Sequence, residues 1–287
     1  MAISRAQLVK ELEPGLNALF GLEYKNYANE HAEIFDTETS DRAFEEEVML
    51  SGFANAAVKP EGQGVTFDDA QETYTARYTN ETIALAFAIT EEAIEDNLYD
   101  RLASRYTKAL ARSMANTKQV KAAAVLNNGF NANFAGGDGV ALFATNHPTI
   151  AGTFSNELAV ASDLNETSLE QALIDIAAMT DERGLKIASR GMKLIIPSAL
   201  QFTADRLMKS EGRTGTADKD INAVRNMGMI PEGYTVNHFL TSNKKWFIKT
   251  DVPNGLKHFV RSPIKTSMEG DFDTGNVRYK ARERYVF

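Results

Sequence analysis

The chain has 287 residues, of which 43% are hydrophobic, and a formal net charge of −8. This length allows a buried core in one or two domains, and the lack of cysteine excludes disulfides and thiolate metal sites. The net charge argues against tight, sequence-independent binding of nucleic acid, and no apolar run approaches the roughly 20 residues of a membrane span. The N-terminus lacks the apolar core of a signal peptide, so we expect a soluble protein made in a cytoplasm.

The charges are divided unevenly along the chain. Residues 1–100 contain 21 acidic and 6 basic residues, whereas the remaining 187 contain 18 and 25. Acidic segments are often solvated faces, and that interpretation stays open here. The alternative is that the acidic front of one copy contacts the basic body of another, which would set their register and orientation.

The front of the chain has three segments that are predicted to be extended. Residues 45–58 are followed by the turn-rich residues 59–64. Tyr74–Tyr78 and Ile83–Ile89 then alternate with period two on either side of a short turn, which predicts that they pair with each other. Because isolated hairpins are marginal in water, we expect another subunit to hold this one.

A long helix is predicted between Thr90 and Gly129. Thr90 is suited to an N-cap, and no proline or glycine interrupts residues 91–128. At about 1.5 Å per residue the helix would be roughly 55 Å long, although two helices with a bend near Asn97 fit the same pattern. Asn127–Gly129 is a stop signal that includes a residue tolerant of positive φ.

Small and apolar side chains recur along this helix at steps of three and four, which predicts one buried stripe. Its members are Ile94, Leu98, Leu102, Tyr106, Ala109, Ser113, Thr117, Val120 and Ala124. They are rich in Ala, Ser and Thr rather than Leu, which favours packing beneath a sheet over a coiled-coil seam.

Charged residues on and ahead of this helix are candidates for contacts between copies. A basic stripe lies about a quarter-turn from the predicted buried one and comprises Arg101, Arg105, Lys108 and Arg112. The acidic residues that another copy offers to it are Asp68, Asp69, Glu72 and Glu81. We expect these eight residues to form intersubunit contacts.

The rest of the chain alternates short helices and strands. Thr167–Glu170 has the pattern of a capping box and predicts a helix that runs through Thr180 and ends at Gly184. An α/β-like lobe follows, with a strand at 192–196, a helix at 198–209, a loop at 210–220, and strands near 234–240, 246–250 and 256–260. In the last strand, residues 276–287, apolar and basic side chains alternate, so its outer face is basic.

The order of these elements resembles the major capsid proteins of tailed phages. The resemblance is carried by the acidic arm, the strands that end in Ala86–Glu92, the long helix, Asp138–Gly139 and the segment Leu142–Pro148. It covers nearly the whole chain. The chain is similar to the Hong Kong 97 type of capsid protein, and most similar to the major head subunits of Mu-like phages.

The resemblance implies an α+β fold of the Hong Kong 97 type with five parts. These are an N-arm (1–42), an extended E-loop hairpin (43–89), a peripheral domain with a long spine helix (90–184), an axial domain (185–261) and a return to the peripheral sheet (262–287). It also implies hexamers and pentamers in an icosahedral shell around double-stranded DNA, assembled in the cytoplasm of a host bacterium. A portal is an expected partner, a decoration protein is a further candidate, and a separate scaffolding protein is expected because the chain begins almost at the arm.

No catalytic, cofactor or metal site is predicted. The histidines His31, His147, His238 and His258 are scattered and lack metal-ligand spacing. Gly136–Gly139 lacks the Lys-Ser/Thr of a phosphate-binding loop and is predicted to be a turn, and Asp271–Asn276 lacks the glycine and glutamate of a calcium loop. Glu45–Glu47 is predicted to be a solvated or intersubunit acidic patch.

Two other functions stay open. An encapsulin-like compartment, which packages enzymes rather than DNA, would have the same fold. A soluble two-lobed enzyme would need a pocket lined by convergent polar groups, which the sequence does not indicate.

Lys59 invites comparison with the Lys–Asn cross-links of the Hong Kong 97 phage, but a surface lysine in a turn usually serves solubility, and we do not expect cross-linking.

Overall fold

The computed structural model describes residues 5–90, 92–93, 99–212, 220–271 and 275–287, and of residues 5–12 and 99–102 it describes the backbone alone. The chain divides into two compact units. The first unit comprises residues 1–45, 78–122 and 256–287, and the second comprises residues 46–77 and 123–255.

A four-stranded sheet forms the frame of the first unit. Its strands are β1 (Asp36–Thr39), β4 (Glu81–Ile89), β10 (Lys257–Gly270) and β11 (Val277–Val286), in the order β1-β10-β11-β4. β1 runs parallel to β10, and the other pairs are antiparallel. Pro263 lies where the register between β10 and β11 shifts, as expected for a residue that cannot donate to the ladder.

The alternation predicted for the last strand is confirmed. Inward residues of β11 are buried and its basic residues face outward, except that Arg284 is half-buried. The strand predicted near 256–260 is longer than expected, because β10 continues to Gly270.

Two helices cover one face of this sheet: α1 (Arg5–Asn26) and α2 (Tyr99–Asn127). Leu16 and Phe20 of α1 and Leu110 and Met114 of α2 form the core together with Tyr279 of β11. With 29 residues α2 is about 43 Å long. Thr90 Oγ1 accepts a hydrogen bond from the Ala93 amide at 3.4 Å, as expected of an N-cap, but residues 91 and 94–98, including the predicted bend, lie outside the described residues.

The predicted buried stripe of the long helix is wrong. Tyr106 and Val120 are 50% and 49% exposed, and Ala109 and Ser113 are exposed as well. The buried residues are Ala103, Thr107, Leu110, Ala111, Met114, Ala115, Gln119, Ala122, Ala123 and Leu126. In its first half this face is rotated by one residue, about 100°, from the predicted one. Ala, Ser and Thr are tolerated on both the buried and the exposed face of a helix, so their spacing did not show which face of α2 is buried. The side chains of Ile94, Leu98 and Leu102 lie outside the description.

The predicted pairing of residues 74–78 with 83–89 is also wrong. β2 (Phe44–Leu50) pairs with β3 (Glu72–Thr79) in a separate two-stranded sheet, whereas β4 pairs with β11. Asn80 alone connects β3 and β4, and its side chain donates hydrogen bonds to Ser40 Oγ at 2.8 Å and to the Arg42 carbonyl at 3.0 Å. A two-residue hairpin turn favours Asn-Gly, and the Asn-Glu found here lacks the glycine.

The core of the second unit lies between one sheet and three helices. The sheet has the order β8-β7-β9, made of β7 (Gly191–Ile196), β8 (Tyr234–Val236) and β9 (Phe247–Thr250), with β7 parallel to β8 and antiparallel to β9. Helices α3 (Glu166–Ala178), α4 (Gln201–Lys209) and α5 (Ala223–Asn226) contribute Leu169, Leu173, Leu207 and Val224 to the core around Leu194. The short hairpin of β5 (His147–Thr149) and β6 (Gly152–Phe154), and 3-10 turns at Ala132–Phe134 and Ser198–Leu200, complete this unit, whereas the 3-10 turn at Glu30–Glu33 belongs to the first.

Two helix ends differ from the predictions. The N-cap of α3 is Asn165, whose side chain accepts from the Ser168 amide at 2.9 Å, so the capping box begins two residues earlier than predicted, and the helix ends at Ala178. The long helix does end at Asn127, but Gly129 does not have positive φ. A Cβ at Gly129 would lie 2.6 Å from the Phe143 ring, so close packing requires glycine at this position.

A buried ion pair joins α2 to β11 in the first unit. Lys118 Nζ lies 2.6 Å from Glu283 Oε2, and the two side chains are 15% and 1% exposed. Lys118 also donates to Tyr24 Oη of α1 at 2.7 Å. Burial raises the pKa of Glu283, and the Lys118 charge and its hydrogen bond oppose that rise.

Candidate assembly surfaces

The loop between β2 and β3 exposes large apolar side chains. Residues 51–71, which we call the distal loop, have neither helix nor strand. Phe67 and Val58 are 94% and 93% exposed, and Phe53 and Val65 are exposed as well. Large apolar side chains exposed together on one loop mark it as a candidate site of protein association.

The predicted acidic contact residues lie on this loop and at the start of the neighbouring strands. Asp68 is exposed and accepts a hydrogen bond from the Ala54 amide at 2.7 Å, which holds the pKa of its carboxyl below the usual range. Asp69 and Glu72 are exposed, and Glu72 begins β3. Glu81 begins β4 and is paired within the chain with Lys121 of α2.

The predicted basic stripe lies on α2. Arg105 and Lys108 are exposed, and among the described residues neither has an acidic partner. Arg112 is paired within the chain with Glu23 of α1 at 2.7 Å. The side chain of Arg101 lies outside the description. Of the three members of the stripe whose side chains are described, Arg105 and Lys108 are therefore the more available to another subunit.

Among the described residues, no ion pair links a member of the acidic set to a member of the basic set. Glu81 and Arg112 each pair with a residue that belongs to neither predicted set. In the acidic patch, Glu45 Oε1 accepts a hydrogen bond from Ser40 Oγ at 2.7 Å, and Glu46 Oε1 forms an ion pair with Arg77 Nη2 at 2.5 Å. Contact between the remaining acids and Arg105 or Lys108 of another copy stays a prediction.

The base of the distal loop is fastened within the second unit. The Ser51 amide donates to the Gln71 carbonyl at 2.8 Å, and the Gln71 amide donates to Ser51 Oγ at 2.9 Å. Arg183 Nη2 donates to the Asp69 carbonyl at 2.6 Å. These bonds hold both ends of the loop while its apolar residues stay in solvent.

The glycine-rich segment 136–139 packs against β3. It forms a turn, as predicted: the Gly139 amide donates to the Gly136 carbonyl at 3.1 Å, and Gly139 has a φ of 78°. Asp138 pairs with His147 Nδ1 at 2.6 Å, so His147 fixes this loop. The charges of Glu182 and Asp138 add to burial in raising the pKa of Tyr74 on β3.

Gly137→Val is expected to lower the free energy of unfolding of the second unit by about 1–3 kcal/mol. A Cβ at Gly137 would lie 2.9 Å from the Thr75 carbonyl oxygen and 3.0 Å from the Ala76 nitrogen, and backbone atoms cannot rotate away. Urea unfolding followed by the fluorescence of Trp246, the single tryptophan, reports on this unit. Gly64→Ala is the control, because a Cβ there meets nothing within 4 Å; an equal effect of both substitutions would contradict the packing of Gly137 on β3.

Reasoning from charge missed the apolar members of this surface. Phe53, Val58, Val65 and Phe67 were not among the predicted contacts, although their surroundings contain a signal. Four large apolar residues stand in a segment rich in glycine and acid. Two of them, Phe53 and Val58, fall in residues 45–58, which were predicted to be extended, whereas the strand ends at Leu50.

Other kinds of site are not found in the part of the chain that the structure describes. There, no group of three or more His, Asp or Glu side chains could hold a metal ion. No helix within the described ranges is long and apolar enough to cross a membrane.

Comparison with known proteins identifies what this architecture is similar to. Residues 73–287 match the model of a family described as phage capsid protein. A comparison with curated proteins gives no match.

Solved structures agree in fold. A subunit from the capsid of bacteriophage JBD30 decorated with minor capsid protein trimers is 13% identical with a TM-score of 0.55, covering 75% of this chain and 92% of the other. The virus-like particle from Pyrococcus furiosus is 11% identical with a TM-score of 0.50, covering 94% and 92%. Against a chain of the bacteriophage JBD30 capsid, at 12% identity and a TM-score of 0.46, the match covers 91% of this chain and 61% of that chain's length.

Proposed function

Since the chain belongs to the phage capsid protein family and has the capsid fold of the Hong Kong 97 type, we propose that it is the major head subunit of a tailed phage and builds its shell without catalysing a reaction. The proposal is carried by the distal loop, whose apolar side chains have no contact that buries them within the described part of the subunit. In a shell these side chains are buried against a second copy. Each subunit then makes several modest contacts, and the closed assembly sums them.

The charge distribution supports contacts between copies. The distal loop carries Glu61, Asp68 and Asp69 beside one lysine, and α2 exposes Arg105 and Lys108. We propose that these opposite charges orient one subunit on the next. Charges at the rim of an interface add more to orientation and association rate than to affinity.

Charge reversal on α2 tests this contact. Arg105→Glu with Lys108→Glu is expected to reduce the yield of particles in negative-stain images at least tenfold, while the circular dichroism and thermal midpoint of the free subunit stay unchanged. Lys186→Glu with Lys244→Glu is the matched control, because it alters the net charge equally at exposed positions of the second unit. Normal particles from the Arg105/Lys108 variant would contradict the contact.

The finer organisation is part of the same proposal. The N-arm (1–42), E-loop (43–89), peripheral domain (90–184 with 262–287) and axial domain (185–261) act in hexamers and pentamers of an icosahedral shell that encloses double-stranded DNA. Assembly takes place in the cytoplasm of the host bacterium, with a separate scaffolding protein, a portal and a decoration protein as partners. The closer similarity to Mu-like head subunits stays a prediction.

A second candidate is a compartment that encloses protein cargo. It is favoured by the likeness to the Pyrococcus furiosus particle, which extends over more than nine-tenths of both chains. Expression of the chain alone distinguishes the two, because a compartment closes without a scaffold and copurifies with cargo protein, whereas a phage head requires a scaffold and a portal.

A further inference from the structure

Two histidines that lie far apart in sequence meet in the interior of the first unit. His31 belongs to the 3-10 turn Glu30–Glu33 directly before β1, and His258 is the second residue of β10. They are 5% and 3% exposed, and their ring centroids lie 5.1 Å apart, edge to face. β1 pairs with β10 at Thr37 and His258, so the two histidines mark where the arm joins the sheet.

The hydrogen bonds of His31 suit the neutral ring. Gln119 Oε1 of α2 accepts from the His31 backbone amide at 3.0 Å, which fixes the orientation of the side-chain amide. Gln119 Nε2, which can only donate, then lies 2.9 Å from His31 Nδ1. Nδ1 is therefore the acceptor and carries no proton.

Among the described residues, the surroundings of His258 also lack an acceptor for a second proton. Its Nδ1 lies 3.3 Å from Thr37 Oγ1, and its buried Nε2 has no hydrogen-bond partner in the described part of the chain. Its ring stacks on Phe287 at 4.4 Å. The titratable and charged groups around the pair are Lys118 of α2, Tyr285 and Glu283 of β11, Tyr24 of α1, and the neighbouring Glu38–Lys257 pair between β1 and β10.

Protonation of either ring is unfavourable in this setting. Burial, and next to it the Lys118 charge, lower the pKa of His31 to about 4, while burial, His31 and Lys118 lower the pKa of His258 to about 3. An exposed histidine has a pKa of about 6.5. Both pKa values are lower in the folded unit than in an exposed histidine. The packing of residues 29–40 against β10 is therefore most stable above about pH 6.5, and it weakens as the pH falls toward the pKa values of the packed rings.

We propose that His31 and His258 form an acid-sensitive latch, so that mild acid detaches residues 29–40 from β10 while the rest of the first unit stays folded. The released segment contains the parallel pairing of β1, including the bonds from the Asp36 amide to the Leu256 carbonyl at 2.9 Å and from the Ser40 amide to the Val260 carbonyl at 3.0 Å. Ile34 and Phe35, 1% and 3% exposed, oppose release. This inference rests on the proposed function, to which it adds regulation of the arm by pH.

Hydrogen exchange tests the latch. Protection factors of the Asp36 and Ser40 amides, corrected for intrinsic rates, are measured from pH 7.5 to pH 4.5 on free subunits and on assembled particles. Each histidine contributes up to about tenfold loss of protection per pH unit below about pH 6.5, and the pair up to about a hundredfold. His258→Phe keeps the stacking on Phe287 and is expected to remove about half of the slope of the logarithm of the protection factor against pH. His238→Gln, at an exposed histidine, is expected to leave that slope unchanged.

A second variant covers the case in which His258→Phe fails to fold. Gln119→Glu places a carboxylate beside His31 Nδ1 and is expected to flatten the pH dependence. Protection that does not vary with pH, or a parallel loss of protection at Leu110 and Met114 in the core, would overturn the latch. Particles are scored separately at pH 7.5: their absence would count against the proposed function, whereas normal particles with no pH effect would count against the latch alone.

Discussion

Lys118→Met is expected to lower the free energy of unfolding of the first unit by about 3–5 kcal/mol, because it leaves the Glu283 carboxylate buried without its cation. Glu283 is 1% exposed and, within the described part of the chain, its Oε1 has no hydrogen-bond partner, so among those residues loss of Lys118 leaves only the bond from Tyr24 Oη, at 3.3 Å, to hold the charge. Urea unfolding of the free subunit, followed by circular dichroism, measures the loss.

Lys121→Met is the matched control for that substitution. Lys121 lies one turn further along α2 and pairs with Glu81, but these side chains are 37% and 60% exposed. Exposed pairs contribute about 0–1 kcal/mol. The double substitution Lys118→Met with Glu283→Leu is expected to recover most of the stability, since apolar replacement of a buried pair is often neutral. Equal losses in the Lys118 and Lys121 variants would contradict the importance of burial.

Val58→Ser with Phe67→Ser is expected to abolish particle formation. Both side chains are more than nine-tenths exposed in the single subunit. Their removal is therefore expected to change the free energy of unfolding of the subunit by no more than about 0.5 kcal/mol. At an interface, loss of an aromatic anchor typically costs about 2 kcal/mol or more, and a shell repeats that loss at every copy. Sedimentation and negative-stain images of the variant compare its particle yield with the wild type.

Lys59→Ser is the control for the distal loop, because it changes an adjacent residue without removing apolar surface. We expect normal particles from it. Particles of normal yield from the Val58/Phe67 variant would contradict the assignment of the distal loop to an interface between copies. A fall in the stability of the free subunit would show instead that these side chains are buried within their own chain.

Local pattern predicted several elements correctly because each depends on residues near to one another. The alternation of β11 reports its two faces directly, since its basic residues face outward and Tyr279 and Tyr285 face inward. The end of the long helix at Asn127 and the turn at Gly136–Gly139 follow from residue types that occur within a few positions. The family resemblance rested on the order of such elements, and the phage capsid family match confirms it.

The pattern of neighbouring residues did not predict which strands pair, because strand pairing depends on residues that are distant in the sequence. The alternation at 74–78 and 83–89 identified two strands, but their partners, β2 and β11, were settled by the single connecting residue Asn80 and by the need of Ile89 to be buried against α2 and β11. The buried face of α2 likewise depends on the elements that pack against it. Short side chains such as Ala103 and Ala111 let α1 and the sheet approach closely, so Tyr106 was left half-exposed.

The sequence by itself determined the uneven charge, the alternation of β11 and the end of the long helix at Asn127, because periodicity and composition are properties of neighbouring residues. Tertiary structure alone decided that Lys118 meets Glu283 and that His31 meets His258, 227 positions away, inside the first unit. Those meetings follow from strand order and helix packing, and their energies come from removal of charged and titratable groups from water, which no local pattern records.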